Sequence, residues 1–179
     1  LTISTMRTRA NQVLNISVDY RKDVEPIGTS YYYNSQTGAY RVQKQNVRGG
    51  ERWGAALTYE RTLGAKFHLR NHLSENYGQT YGIMALVDDA TGIVYNRQRN
   101  SDFAHNLKLE FTNGPLLLRL NHDFSWHYYA YSDVAQPRQD IYNYRAELTA
   151  QYQWKSWTFS LFPSFLLDRG YMADLMNTN

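Results

Sequence analysis

Several groups of side chains in this 179-residue chain have the types and spacings that chemistry asks for. His68 and His72 stand four residues apart, the spacing of a helical metal pair. On a strand that spacing is about 13 Å, too far for two ligands of one ion at about 2 Å each. They read instead as two polar residues of one strand face. Asp88 and Asp89 suggest Ca²⁺, but such a site needs six to eight oxygens, and two adjacent acids in a turn supply too few. Asp123, Ser125 and His127 hold the three residue types of a nucleophilic triad on one strand face. Alternate residues of a strand lie about 7 Å apart, and no nucleophile elbow surrounds Ser125. Arg119, Asp123, Arg145 and Glu147 are charges on polar faces, expected to be solvated, paired with one another, or placed against a plug or substrate. No catalytic, cofactor-binding or metal site is assigned, no cofactor is expected, and the substrate-binding residues stay unassigned; an enzyme is not expected.

All of these residues sit on segments with period-two alternation, which means strand, because successive side chains point to opposite faces. The clearest case spans residues 142–165. Tyr142, Tyr144, Ala146, Leu148, Ala150, Tyr152 and Trp154 share one face; Asn143, Arg145, Glu147, Thr149, Gln151 and Gln153 share the other. After Lys155-Ser156 the pattern restarts, with Trp157, Phe159, Leu161, Pro163 and Phe165 on one face. Leu166 onward loses it. Small and aliphatic residues fill the middle of the apolar face, and Tyr or Trp its ends. Tyr144 to Tyr152 spans roughly 26 Å along a strand, or about 20 Å at a 40° tilt; Tyr142 to Trp154 gives about 30 Å. These lengths bracket the apolar band, about 25 Å tall, of a transmembrane β-barrel with its two aromatic girdles.

Further strands follow from Leu14, Ile16, Val18 and Tyr20; from Trp53, Ala55, Leu57 and Tyr59; from Phe67, Leu69, Asn71 and Leu73; from Phe103, His105, Leu107, Leu109 and Phe111; and from Leu116, Leu118, Leu120, His122, Phe124, Trp126 and Tyr128. An eighth lies near Leu1 and Ile3. Short turns near Ala10, Ala65, Gly114 and Ser156 alternate with long polar connections over residues 23–51, 76–100 and 129–140. Hairpins are expected inside the first two, around Asn34-Ser35-Gln36-Thr37-Gly38 and around Asp88-Asp89-Ala90-Thr91-Gly92. The expected fold is all-β, an antiparallel up-and-down β-meander of about seven or eight strands, part of a transmembrane β-barrel. One partial barrel domain covers residues 1–179.

Composition agrees without deciding. Hydrophobic residues make up 42% and aromatic ones 15%, with 16 Tyr and 4 Trp. Mean hydropathy is −0.63, as expected when half of each strand faces a polar lumen. No apolar run reaches the 18 or so residues of a membrane helix. Cysteine is absent, which removes disulfides and thiolate chemistry. The net charge of +3 is scattered, with no nucleic-acid footprint. The chain begins at Leu1 without Met or signal peptide, and residues 172–179 read as loop, so a fragment of a longer chain is expected. A soluble β-sandwich or ligand-binding barrel is the alternative, with the apolar face turned inward.

Tyr33-Asn34-Ser35-Gln36-Thr37-Gly38-Ala39-Tyr40-Arg41, followed by Gln45-Asn46-Val47-Arg48-Gly49, resembles a loop pattern of TonB-dependent-receptor-like outer membrane proteins of Bacteroidota. There the pattern runs Tyr-Asp-Pro-x-Thr-Gly, then Asn-Val and a Gly; here Asn34-Ser35 stands in place of Asp-Pro. With the strands, the resemblance covers residues 12–165. It implies an outer-membrane location, nutrient uptake or reception, contact with outer-membrane lipid, and TonB and a surface lipoprotein as partners of the full-length protein. No plug and no TonB box can be matched in this chain.

One register expectation is specific. A two-residue turn on Asn113-Gly114 would need the amide of residue 115, and Pro115 has none. A four-residue loop from Thr112 to Pro115 pairs Phe111 with Leu116, Leu107 with Leu120 and His105 with His122. The two histidines would then face each other on the apolar face near the long-loop end, as interfacial rings or as a pH-sensitive or metal-binding pair. An open sheet, with first and last strands unpaired, is also expected.

Overall fold

The computed structural model describes residues 1–9, 11–34, 36–83, 86–87, 95–132 and 138–170. Twelve strands follow in order: β1 (Thr2–Arg9), β2 (Gln12–Lys22), β3 (Ile27–Tyr33), β4 (Tyr40–Asn46), β5 (Glu51–Leu63), β6 (Phe67–Ile83), β7 (Leu86–Val87), β8 (Tyr95–Asn113), β9 (Leu116–Tyr131), β10 (Gln139–Trp154), β11 (Trp157–Leu161) and β12 (Ser164–Arg169). No helix occurs among the described residues. The main sheet is an antiparallel up-and-down meander in the order β1-β2-β5-β6-β8-β9-β10, with β11 and β12 end to end along the remaining side of β10. A second sheet, in the order β4-β3-β7, is built from the segments between the long strands.

Eight positions in the meander match the seven strands and the eighth that alternation predicts. Because every pair is antiparallel and in continuous register, the alternating residues of all strands line up into rows on two faces. On one face Leu57, Leu73, His105, Phe124, Tyr144 and Leu167 oppose one another in turn across six neighbouring strands. On the other, Thr58, His72, Asn106, Asp123 and Arg145 do the same. The sheet is open: among the described residues β1 pairs only β2, and β11 and β12 pair only β10.

Three features differ from the sequence reading. First, β6 runs to Ile83, β8 starts at Tyr95, and β9 and β10 reach Tyr131 and Gln139. Most of the expected connection over 76–100, and both ends of the one over 129–140, are therefore strand. These extensions mix polar residues, glycine and tyrosine without a clean apolar face, so alternation does not mark them; their backbone ladder does. Second, β11 and β12 share a single register on β10, and the edge continues to Arg169. The break between them falls at Pro163, whose carbonyl accepts from the Leu148 amide at 3.0 Å but which has no N–H to return.

Third, the turn between β8 and β9 holds two residues, Gly114-Pro115, closed by the pair Asn113–Leu116. The amide it requires belongs to Leu116, which removes the objection to a short loop. Gly114 has φ +56°, and the ring fixes Pro115 near about −65°, the sequence of signs of a type II′ hairpin. The pairing is therefore offset by two from the expected one: Phe111 faces Leu118, Leu107 faces His122 and His105 faces Phe124. The hairpin expected around Asn34 within the first long connection forms as β3–β4, outside the meander. The expected tip at Asp88-Asp89-Ala90-Thr91-Gly92 lies outside the described residues; Leu86-Val87 pairs parallel with Tyr32-Tyr33.

The sheet has almost no core. Val47 is the one buried hydrophobic residue among those described, while twenty large hydrophobic side chains are exposed. The accessible surface is 13156 Å², against about 9,000 Å² for a compact monomer of this mass. This is a single layer with both faces uncovered.

Candidate functional site

The polar face is a network of cross-strand partners. Asn106 donates to Asp123 at 2.6 Å, and Asn143 donates to Ser125 at 3.1 Å. His127 Nδ1 lies 2.7 Å from Asp102 Oδ1. The three residues with triad chemistry are thus each tied to a neighbouring strand and not to one another. His72 Nδ1 lies 2.8 Å from Thr58 Oγ1, and His68 Nδ1 lies 3.1 Å from Thr62 Oγ1. Each histidine faces its threonine directly across β5 and β6, and the pair does not converge on an ion. No group of three or more potential metal ligands occurs among the described residues.

The charges pair off as well. Arg119 holds Glu110 at 2.8 Å directly across β8 and β9. Arg70 holds Glu60 at 3.0 Å across β5 and β6. Arg145 turns along its own strand to Glu147, although Asp123 is its register partner. Two hollows open on this face. One, of about 250 Å³, is lined by Arg70, His72, Asn106, Lys108 and Asp123. The other, of about 440 Å³, is lined by Asp19, Asn76, Gly78, Asn100 and Asp102 among others. Gly54 and Gly78 make room there: a Cβ on either would run into the side chain of Asp19 or Asn100.

The apolar face ends in aromatic rows. Toward the long-connection end, Tyr20 packs on Trp53 with ring centroids 4.2 Å apart. Trp126 stacks on Tyr142 at 6.4 Å and lies 6.1 Å from Tyr128. The indole of Trp126 donates to Asp140 at 3.2 Å, and Arg138, bound to the same carboxylate, lies 4.9 Å above the Tyr128 ring. Hydrogen bonding to Asp140 holds the Arg138 guanidinium above its ordinary pKa. At the opposite end Trp154 faces Trp157, and the Lys155 ammonium lies 5.1 Å from the Trp154 ring centroid.

Between these rows lie polar residues that alternation had placed on the apolar face or left just beyond the ends of the alternating runs. His105 Nε2 bonds Asn71 Oδ1 at 2.8 Å. Ser101 donates to Glu75. His105 and His122 are diagonal neighbours, with ring centroids 5.1 Å apart, close despite the shifted register. His122 also meets the Tyr144 ring edge-on at 5.0 Å, and its Nδ1 is buried with no hydrogen-bond partner. The sequence held a signal for Asn71, a polar residue breaking an apolar alternation. Glu75, Ser101 and Asp102 carried none, since all three lie between the ends of the alternating runs and the connection expected over 76–100.

At the β3–β4 tip, Asn34 Oδ1 accepts from the amides of Gln36 and Thr37, both at 2.9 Å. The Asn34 carbonyl accepts from Gly38 at 2.8 Å, with Gly38 at φ +68°. This is an Asx turn, so Asn34 does there what the Asp of the resembling pattern is able to do. Neither a scan against protein-family models nor a search of characterised proteins gives a match.

Proposed function

We propose that this chain is part of the wall of a transmembrane β-barrel in an outer membrane, from a TonB-dependent-receptor-like protein engaged in nutrient uptake or reception. The observation that carries the membrane reading is the uncovered single layer. One long face presents Ile16, Val18, Leu148, Leu161 and Phe165 to the surroundings, bounded at both ends by Tyr and Trp. Water penalises such a face by roughly 25 cal/mol for each Å² of apolar surface; lipid does not. The other face satisfies its own polar groups, as a wall lining an aqueous lumen would.

The uptake function rests on the loop pattern around Asn34-Ser35-Gln36-Thr37-Gly38, and the proposed partners, TonB and a surface lipoprotein, rest on it too. No catalysis is assigned to this wall. The alternative, a soluble all-β binding protein, would turn the apolar face inward. Fractionation and gel migration decide between them. The full-length protein should appear in outer-membrane fractions and migrate faster unheated than boiled. A compact monomer soluble without detergent would end the membrane reading.

A further inference from the structure

The arginines differ in their partners. On the polar face Arg70, Arg119 and Arg145 each hold a carboxylate. On the apolar face, beyond the aromatic row at the long-connection end, the pattern is different. Arg99 lies two residues past Ser101, which faces Tyr77 and Tyr128, and Arg97 lies two further. That places them about 7 and about 13 Å along the strand beyond that row. Neither has a carboxylate partner among the described residues. The Nε of Arg99 is buried with no hydrogen-bond partner, a state that costs about 1–3 kcal/mol or more for a charged group.

The surroundings extend the same chemistry. Arg97 faces Tyr81 across β6 and β8, and the Arg48 guanidinium lies 4.8 Å from the centroid of that ring. Arg138 lies over Tyr128 on the other flank. The end of β8 is fixed in place: the Arg97 amide donates to Ser132 Oγ at 2.7 Å, and its carbonyl accepts from the Ser132 amide at 2.8 Å. The nearby acids are Asp140, already bound to Arg138, Glu75, bound by Ser101, Glu51, two strands from Arg99, and, around one hollow with Arg48 and Tyr81, Glu25 and the Arg21-bound Asp23.

We infer that Arg97 and Arg99, flanked by Arg48 and Arg138, form a docking site for the phosphate of an anionic lipid headgroup. The inference rests on the membrane reading. A guanidinium recognises phosphate through paired N–H donors. This cluster stands on the apolar face just past the aromatic row, at headgroup level for a lipid whose chains cover Phe103, Trp126 and Tyr142. A phosphate there supplies the anionic partner that the Arg97 and Arg99 guanidiniums lack among the described carboxylates. The tyrosines and arginines together favour a lipid that has both a ring-contacting glycerol or sugar region and a negative charge.

The test uses the full protein, purified in detergent, reconstituted into phosphatidylcholine bilayers with and without phosphatidylglycerol, and read by native mass spectrometry of retained lipid. Phosphatidylglycerol should be retained over phosphatidylcholine. The double substitution Arg97→Gln/Arg99→Gln should cut that preference roughly 30-fold, about fivefold per arginine, while insertion is unchanged. Arg70→Gln, on the polar face, should leave the preference intact. Insertion without any preference, or a preference indifferent to Arg97 and Arg99, overturns the site and leaves the membrane reading standing. Loss of retained lipid to millimolar inorganic phosphate means the cluster takes a free anion, and overturns it as well. A protein that enters neither bilayer overturns both readings.

Discussion

His122 shows how much a single polar atom on the apolar face can decide. Its Nδ1 is buried and unpartnered, whereas its neighbour His105 is bonded to Asn71. The two substitutions to phenylalanine should therefore differ in sign. His122→Phe removes an unsatisfied group and keeps the ring contact with Tyr144, so a stabilisation of roughly 1 kcal/mol is expected. His105→Phe strands the Asn71 amide and should cost about 1–2 kcal/mol. Unfolding by urea in micelles measures both; equal losses for the two would show that His122 Nδ1 has a partner after all. Little of this was legible in the sequence. Alternation put both histidines on the apolar face, which holds, but which of them is bonded depends on a register that alternation cannot fix. A slip of two residues returns every side chain to its own face, and the apolar rows of β8 and β9 are alike enough to accept either. The polar-face partners were lost for a second reason: Asp102, which takes His127, stands just before the alternating run that begins at Phe103.

The turns set that register. Gly114 adopts φ +56° in a two-residue loop that leaves no slack. Gly114→Ala should cost roughly 1–2 kcal/mol through the left-handed backbone alone, with thermal unfolding in detergent as the measure. An unchanged melting temperature would mean that the β8–β9 turn has another geometry. Where the long β2 and β5 strands meet the segment carrying β3 and β4, closeness of backbones does the same job. A Cβ at Gly49 would overlap the Asp23 carbonyl oxygen, beside the bond from the Asp23 amide to Gly50 O at 2.9 Å. Gly49→Ala should push the chains apart and cost about 1–3 kcal/mol, with faster amide exchange at Asp23 than in the middle of β5. Exchange equally slow at both sites would show that the junction absorbs the methyl. Strand identity and the short turns were legible because an apolar face in contact with one medium imposes period two. Strand ends were not, since β6, β8 and β9 outrun the aromatic row into polar sequence where only backbone pairing marks a strand.

The main sheet is open at both edges among the described residues. Along β1, and along β11 with β12, about half of the backbone N–H and C=O groups point away from the one neighbour each strand has. In hydrocarbon every such group costs several kcal/mol. Two strand-long rows of them sum to tens of kcal/mol, more than the 5–15 kcal/mol that folded domains possess. Residues 1–179 by themselves therefore should not rest in a bilayer as an open monomer; further strands, or other copies, must pair with both edges. In micelles the 179-residue chain should run as edge-paired oligomers under light scattering and show no faster band when left unheated. Amide exchange should be fast in β1 and β12 and slow in β8 and β9, which have neighbours on both sides. The competing possibility is that β1 closes onto β12 once lipid is present. Thr5→Cys with Phe165→Cys tests it, because both positions lie on the apolar face at opposite edges. An intramolecular disulfide in high yield, in a heat-modifiable monomer with β1 and β12 both protected, would make this chain a small barrel in its own right. Failure of that disulfide, with oligomers that dissociate only on unfolding, is the outcome an open wall demands.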